Sequence, residues 1–131
     1  MKGARTLRHT VLYIEDNPSN IKLVTRLLGR RQHVRCLVAN TPELGIELAL
    51  AHRPTLTLLD INLPGMNGYQ VLELFQAEES LRSMPVIALT ASATSSDMAL
   101  GMSAGFTDYL TKPLDIEKFY EVVDRVLAAQ E

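Results

Sequence analysis

Five short apolar runs punctuate the chain, at residues 11–14, 34–39, 56–59, 86–89 and 106–110. Each is continuous rather than alternating, the pattern of strands covered on both faces. Helical periodicity fills the gaps. Ile21, Val24, Leu27 and Leu28 recur at three-to-four spacing, with Gly29 as a stop signal. Leu44, Leu48 and Ala51 form a second stripe, opened by Thr41 as N-cap, Pro42 at the first helical position and Glu43 behind it. Val71, Leu72, Leu74 and Phe75 form a third, and a weaker fourth covers residues 98–104 before Gly105. The last stripe, Ile116, Phe119, Val122, Val123, Val126 and Leu127, follows Asp115 as N-cap. This strict βα alternation, five times over, predicts an α/β fold with a parallel sheet and helices on both faces, because parallel crossovers are right-handed.

At 131 residues the chain has the length of one domain, within the usual range of roughly 100 to 200 residues. Apolar residues make up 47% and charged residues 21%, a globular composition. Thirteen basic against fifteen acidic residues leave a net charge of −2, which removes the electrostatic case for nucleic acid. The single cysteine, Cys36, excludes an internal disulfide and a cysteine-based zinc site. No apolar run approaches the ~20 residues of a membrane helix, and no signal-peptide layout opens the chain. Residues 1–9, with Lys2, Arg5 and Arg8, are expected to be a tail, and residues 10–131 the domain, working in the cytoplasm without membrane insertion.

Ligands of open α/β sheets bind beyond the carboxyl ends of the strands. There the runs end in Glu15 and Asp16, in Asp60, in Thr90 and Ala91, and in Lys112 and Pro113. The second run offers only Asn40 and Thr41, which suits an outer strand. Three carboxylates against one ammonium raise one another's pKa or recruit a cation. A hard divalent ion such as Mg²⁺ suits such oxygen ligands. A cation beside a carboxylate, with a lysine and a threonine near, is a layout for phosphoryl transfer. Leu63-Pro64-Gly65 breaks the chain after Asp60, and Asn67-Gly68 reads as a turn.

The segments Tyr13-Ile14-Glu15-Asp16-Asn17-Pro18, Leu58 through Gly68, Val86 through Ala91 and Gly105 through Leu114 together resemble the receiver domains of two-component response regulators. The likeness spans roughly residues 10–129, and the first and last segments resemble those of hybrid sensor kinases more than those of transcription factors. It implies a flavodoxin-like (βα)5 fold with strand order 2-1-3-4-5. It also implies that Asp60 is the phosphoacceptor, and that Glu15, Asp16, Asp60 and the backbone carbonyl of Asn62 hold Mg²⁺ or Mn²⁺. Thr90, Ala91 and Lys112 would contact the phosphoryl group, Thr90 and Tyr109 would be switch residues, and the Lys112–Pro113 bond would be cis. The implied partner is a sensor histidine kinase or a histidine phosphotransfer domain, and the implied output a change in the surface of the fourth helix, fifth strand and fifth helix. Such a module catalyses only its own phosphorylation and dephosphorylation.

Three other readings are open at this level. An aspartyl-phosphate phosphohydrolase would generally carry a second aspartate two residues after Asp60, where Asn62 stands. A flavin or nucleotide domain would need a Gly-rich loop after the first strand, where Glu15 and Asp16 stand instead. A degenerate receiver would act as a constitutive docking module. His9, His33 and His52 lack ligand spacing, and Cys36 reads as a small core residue. Arg26, Arg30 and Arg31 suit the C-terminal end of the first helix, with a basic docking surface as the alternative. Ser92 and Asn62 flank the expected site. Residues 92–97 read as a poorly helical, Ser/Thr-rich segment.

Overall fold

The computed structural model describes residues 9–91 and 94–131. The expected tail, apart from His9, and Ser92 lie outside the described residues. In chain order the elements are β1 (His9–Ile14), α1 (Pro18–Gly29), β2 (Val34–Ala39), α2 (Pro42–His52), β3 (Leu56–Asp60), α3 (Gly68–Ala77), β4 (Val86–Thr90), α4 (Ser95–Ala104), β5 (Asp108–Thr111) and α5 (Ile116–Ala129). A single turn of 3₁₀ helix, Glu79–Leu81, follows α3. The strands pair in parallel in the order β2-β1-β3-β4-β5, the flavodoxin-like arrangement expected. His9 already pairs with Val34, so β1 takes in a residue read as tail.

The period of two along β1 divides the core. Val11 and Tyr13 join residues of α1 and α5, among them Val24, Leu27, Phe119 and Val123. Leu12 and Ile14 join the other layer, with Val71, Leu72 and Phe75 of α3. β3 and β4 are buried along their whole length, and their last residues are Asp60 and Thr90. Two polar side chains are thereby delivered, buried, to the carboxyl edge of the sheet.

Caps explain the helix starts. Asn17 accepts from the N–H groups of Ser19 and Asn20, and Thr41 from Leu44 N, with proline at the start of both helices. Asp115 accepts from Lys118 N. Asn67 forms a capping box with Gln70, so the pair Asn67-Gly68 opens α3 instead of making a free-standing turn. Thr94 caps α4, which starts at Ser95, so the segment read as poorly helical is helical from that residue onward.

Some stripes sit on other faces than the apolar pattern suggested. α2 buries Pro42, Gly45 and Ala49, while Leu44 is exposed. A Cβ on Gly45 would stand 2.4 Å from Ile14 Cδ1, so α2 rests on β1 through its small residues and turns Leu44 and Leu50 outward. Leu74 and Ile116 are exposed as well. Cys36 is half-buried, because β2 is an edge strand, and burial pushes its thiol up to about 11. Arg31 stacks on the Tyr120 ring, 3.9 Å from its centroid, and pairs with Asp124 through two hydrogen bonds. It therefore ties the turn after α1 to α5, a structural use of a residue read as part of a basic cluster.

Candidate functional site

β1, β3 and β5 bring three charged side chains to one point. Lys112 Nζ lies 3.2 Å from Glu15 Oε1 and 3.0 Å from Asp60 Oδ2. Glu15 is fully buried and Asp60 nearly so, whereas Asp16 beside them is exposed. Glu15, Asp16 and Asp60 each offer an oxygen to a group whose members lie within 4.8 Å of one another. Around this cluster the backbone donates: Asn62 N to Asp60 Oδ1 at 3.0 Å and Asn17 N to Glu15 Oε2 at 3.3 Å. Lys112 N in turn donates to the carbonyl of Thr90 at 2.9 Å, which locks the end of β5 to the end of β4. The Lys112–Pro113 bond is cis, as expected.

Burial and the adjacent Asp60 carboxylate push the Glu15 carboxyl above its usual range, against the opposing effects of Tyr13 and Lys112. Burial alone would lower Lys112, but hydrogen bonds and charge from Asp60 and Glu15 outweigh it and hold the ammonium above its ordinary value. The cluster thus carries more negative charge than its lysine neutralises. Hard oxygen donors, a surplus of negative charge and one exposed carboxylate fit a divalent cation such as Mg²⁺.

A second group of residues forms the side of the site toward α4. Thr90 and Tyr109 line a cavity of about 170 Å³ together with Ile61, Asn62, Tyr69 and Asp97. Tyr109 is buried, its hydroxyl 3.0 Å from that of Tyr69 and donating to the carbonyl of Asp97 at 3.2 Å. Phe106 packs edge-on against both rings. A Cβ on Gly101 would fall 1.5 Å from the Tyr109 hydroxyl, so the inward ring depends on a glycine in α4. Of the expected positions, then, Glu15, Asp16, Asp60, Asn62 and Lys112 come together, and Thr90 joins that cluster to the cavity holding Tyr109. Ala91 is exposed beside Thr90.

Sequence reasoning gave no role to Tyr69, Gly101 or the Tyr13 hydroxyl, which donates to Glu15 Oε1 at 2.9 Å. Tyr13 had a usable signal, since it stands two residues before Glu15 on a strand and therefore on its face. Tyr69 and Gly101 had none, because their meeting with Tyr109 depends on how α3 and α4 pack.

Several known proteins are similar to this chain. Protein PilH of Pseudomonas aeruginosa is 32% identical over 118 residues, covering 90% of this chain and 97% of its own. The polar-differentiation response regulator DivK of Brucella anthropi is 34% identical over 118 residues, covering 90% and 95%. The receiver domain of a sensor histidine kinase from Pseudomonas aeruginosa, solved with a magnesium ion coordinated in its active-site cleft, superposes with a TM-score of 0.82. It is 30% identical, with 92% of this chain and 98% of that one covered. The chemotaxis response regulator CheY4 of Vibrio cholerae shares the fold, at a TM-score of 0.84 and 22% identity over 91% of this chain and 98% of its own. The family profile described as response regulator receiver domain matches residues 11–124. With its fold and nearly its whole length in agreement, the chain belongs to the receiver domains of two-component signalling.

Proposed function

We propose that Asp60 accepts a phosphoryl group from a phosphohistidine carried by a sensor histidine kinase or a histidine phosphotransfer domain. The observation carrying this reading is the buried Asp60, bridged by Lys112 and grouped with Glu15 and Asp16. A carboxylate oxygen of Asp60 attacks phosphorus in line, the bond from phosphorus to the imidazole nitrogen breaks, and the electron pair leaves with the ring. Lys112 is already against Asp60, so its ammonium meets the equatorial oxygens without a large movement. The Thr90 hydroxyl donates to one of those oxygens, and the small side chain of Ala91 leaves the group room to enter. A magnesium ion held by Glu15, Asp16, Asp60 and the Asn62 carbonyl would neutralise charge on the transferring group. Attack of water on phosphorus later returns the free carboxylate and inorganic phosphate, so the domain turns over only its own phosphoryl group.

Movement of Thr90 toward the phosphoryl group changes the cavity it shares with Tyr109. Phosphorylation thereby favours a different packing of Tyr109 and of the surface of α4, β5 and α5, a shift between two populated states. Intact mass after incubation with acetyl phosphate tests the chemistry. One added phosphoryl group is expected for the wild type with Mg²⁺, and none without the metal or for Asp60→Asn. An unmodified wild type that also fails to bind beryllofluoride would overturn the proposal in favour of a constitutive docking module.

A further inference from the structure

Tyr13 is fully buried, in the layer of the core formed with α1 and α5. A hydroxyl in such a place costs free energy unless it is hydrogen-bonded. Its bond goes to a side chain of the acidic cluster, Glu15 Oε1, at 2.9 Å. The same oxygen receives Lys112 Nζ at 3.2 Å, while Oε2 accepts from Asn17 N at 3.3 Å.

The two side-chain donors on Oε1 are held differently. Lys112 is shared with Asp60, so its position follows the state of that residue. The Tyr13 ring is fixed in a central strand paired on both sides, and its hydrogen bond to Glu15 does not involve Asp60. A buried carboxylate that lost Lys112 to a phosphoryl group would still have Tyr13 to orient it.

The geometry points to Tyr13 as a positioning residue that holds the Glu15 carboxylate for the divalent cation and keeps it in place when Lys112 turns to the phosphoryl group. The inference rests on the acidic-site reading above. Partners that orient a ligating carboxylate set metal affinity as the ligands themselves do, commonly by about 10- to 100-fold.

The test is an NMR titration with MgCl₂ alone, without phosphodonor, of the wild type, Tyr13→Phe and Tyr120→Phe. Tyr120 donates its hydroxyl to the Leu27 carbonyl at 2.6 Å, toward the far end of α1, and so reports the generic loss of a tyrosine hydrogen bond. The dissociation constant for Mg²⁺ should rise about tenfold or more in Tyr13→Phe and stay within about twofold in Tyr120→Phe. In the wild type, the Tyr13 ring ¹³Cζ resonance should shift along the same binding curve as the Asp16 amide, a readout that needs no variant. Equal affinity of Tyr13→Phe and wild type, equal weakening by Tyr120→Phe, or a ¹³Cζ resonance indifferent to MgCl₂ would each overturn the inference. A wild type that binds no Mg²⁺ sinks the acidic-site reading itself, and this inference with it. Normal wild-type binding with an unaffected variant removes Tyr13 alone.

Discussion

Lys112 faces two carboxylates that would otherwise face each other. Replacing it, as in Lys112→Met, leaves Glu15 and Asp60 without their cation. Breaking a fully buried pair costs about 3–5 kcal/mol. Lys112 keeps 22% of its side chain exposed, and the expected loss by urea unfolding without metal is therefore nearer 1–3 kcal/mol. Unchanged stability would mean that solvent or a rearranged Glu15 replaces the lysine. Glu15 adds a pH dependence of opposite sign to that of an ordinary ion-paired acid. Its folded-state carboxyl lies above the ordinary value of 4.5, so at low pH both folded and unfolded chains hold the proton. As pH rises past that ordinary value the unfolded chain releases the proton first, and stability declines until the folded-state value is passed. Glu15→Gln should flatten that decline in metal-free urea titrations; an unaltered slope would place the effect elsewhere.

Among the α-helices, α4 buries the fewest of its described residues. Met98, Leu100 and Met102 are exposed, and Gly101 is its one buried residue among those whose burial is described. Gly101→Ala puts a methyl group where the Tyr109 hydroxyl sits. Tyr109 should turn outward, breaking its contacts with Tyr69 and the Asp97 carbonyl at a cost of about 1–3 kcal/mol, the usual penalty for overpacking. Faster iodination of Tyr109 reads that change directly; a rate equal to wild type would mean that α4 gives way instead. The same elements show which parts of the structure the sequence made legible. The parallel βα alternation, the caps at Thr41 and Asp115, and the convergence of Asp60 with Glu15 and Lys112 follow from period, cap chemistry and the rule that sites lie beyond strand ends, whereas the full strand order followed from the family resemblance. The buried face of α2 does not, because its helix was admitted to the sheet by Gly45 and Ala49 while its leucines suggested another face. Nor does the Tyr69–Tyr109 pair, which depends on a tertiary approach between residues forty positions apart.

For the molecule as a whole, a cation held at the acidic cluster would link metal binding to folding. A cation that binds the native cluster and not the unfolded chain should stabilise the domain by ~1.4 kcal/mol at ten times its dissociation constant. That corresponds to roughly 5 °C in Tm for a domain of this size. Calorimetry with and without MgCl₂ should show the gain in the wild type and its loss in Asp16→Asn, a change at the exposed member of the cluster. The proposed chemistry would form an acyl phosphate at Asp60, and borohydride distinguishes that bond from every phosphoester. Hydride reduces an aspartyl phosphate to homoserine with loss of phosphate, while phosphoserine and phosphothreonine survive. The most direct measurement is therefore peptide mapping after acetyl phosphate, Mg²⁺ and borohydride. Homoserine at position 60, dependent on both phosphodonor and metal, is the result predicted. An intact aspartate at position 60, with phosphate found on another residue or on none, would contradict it.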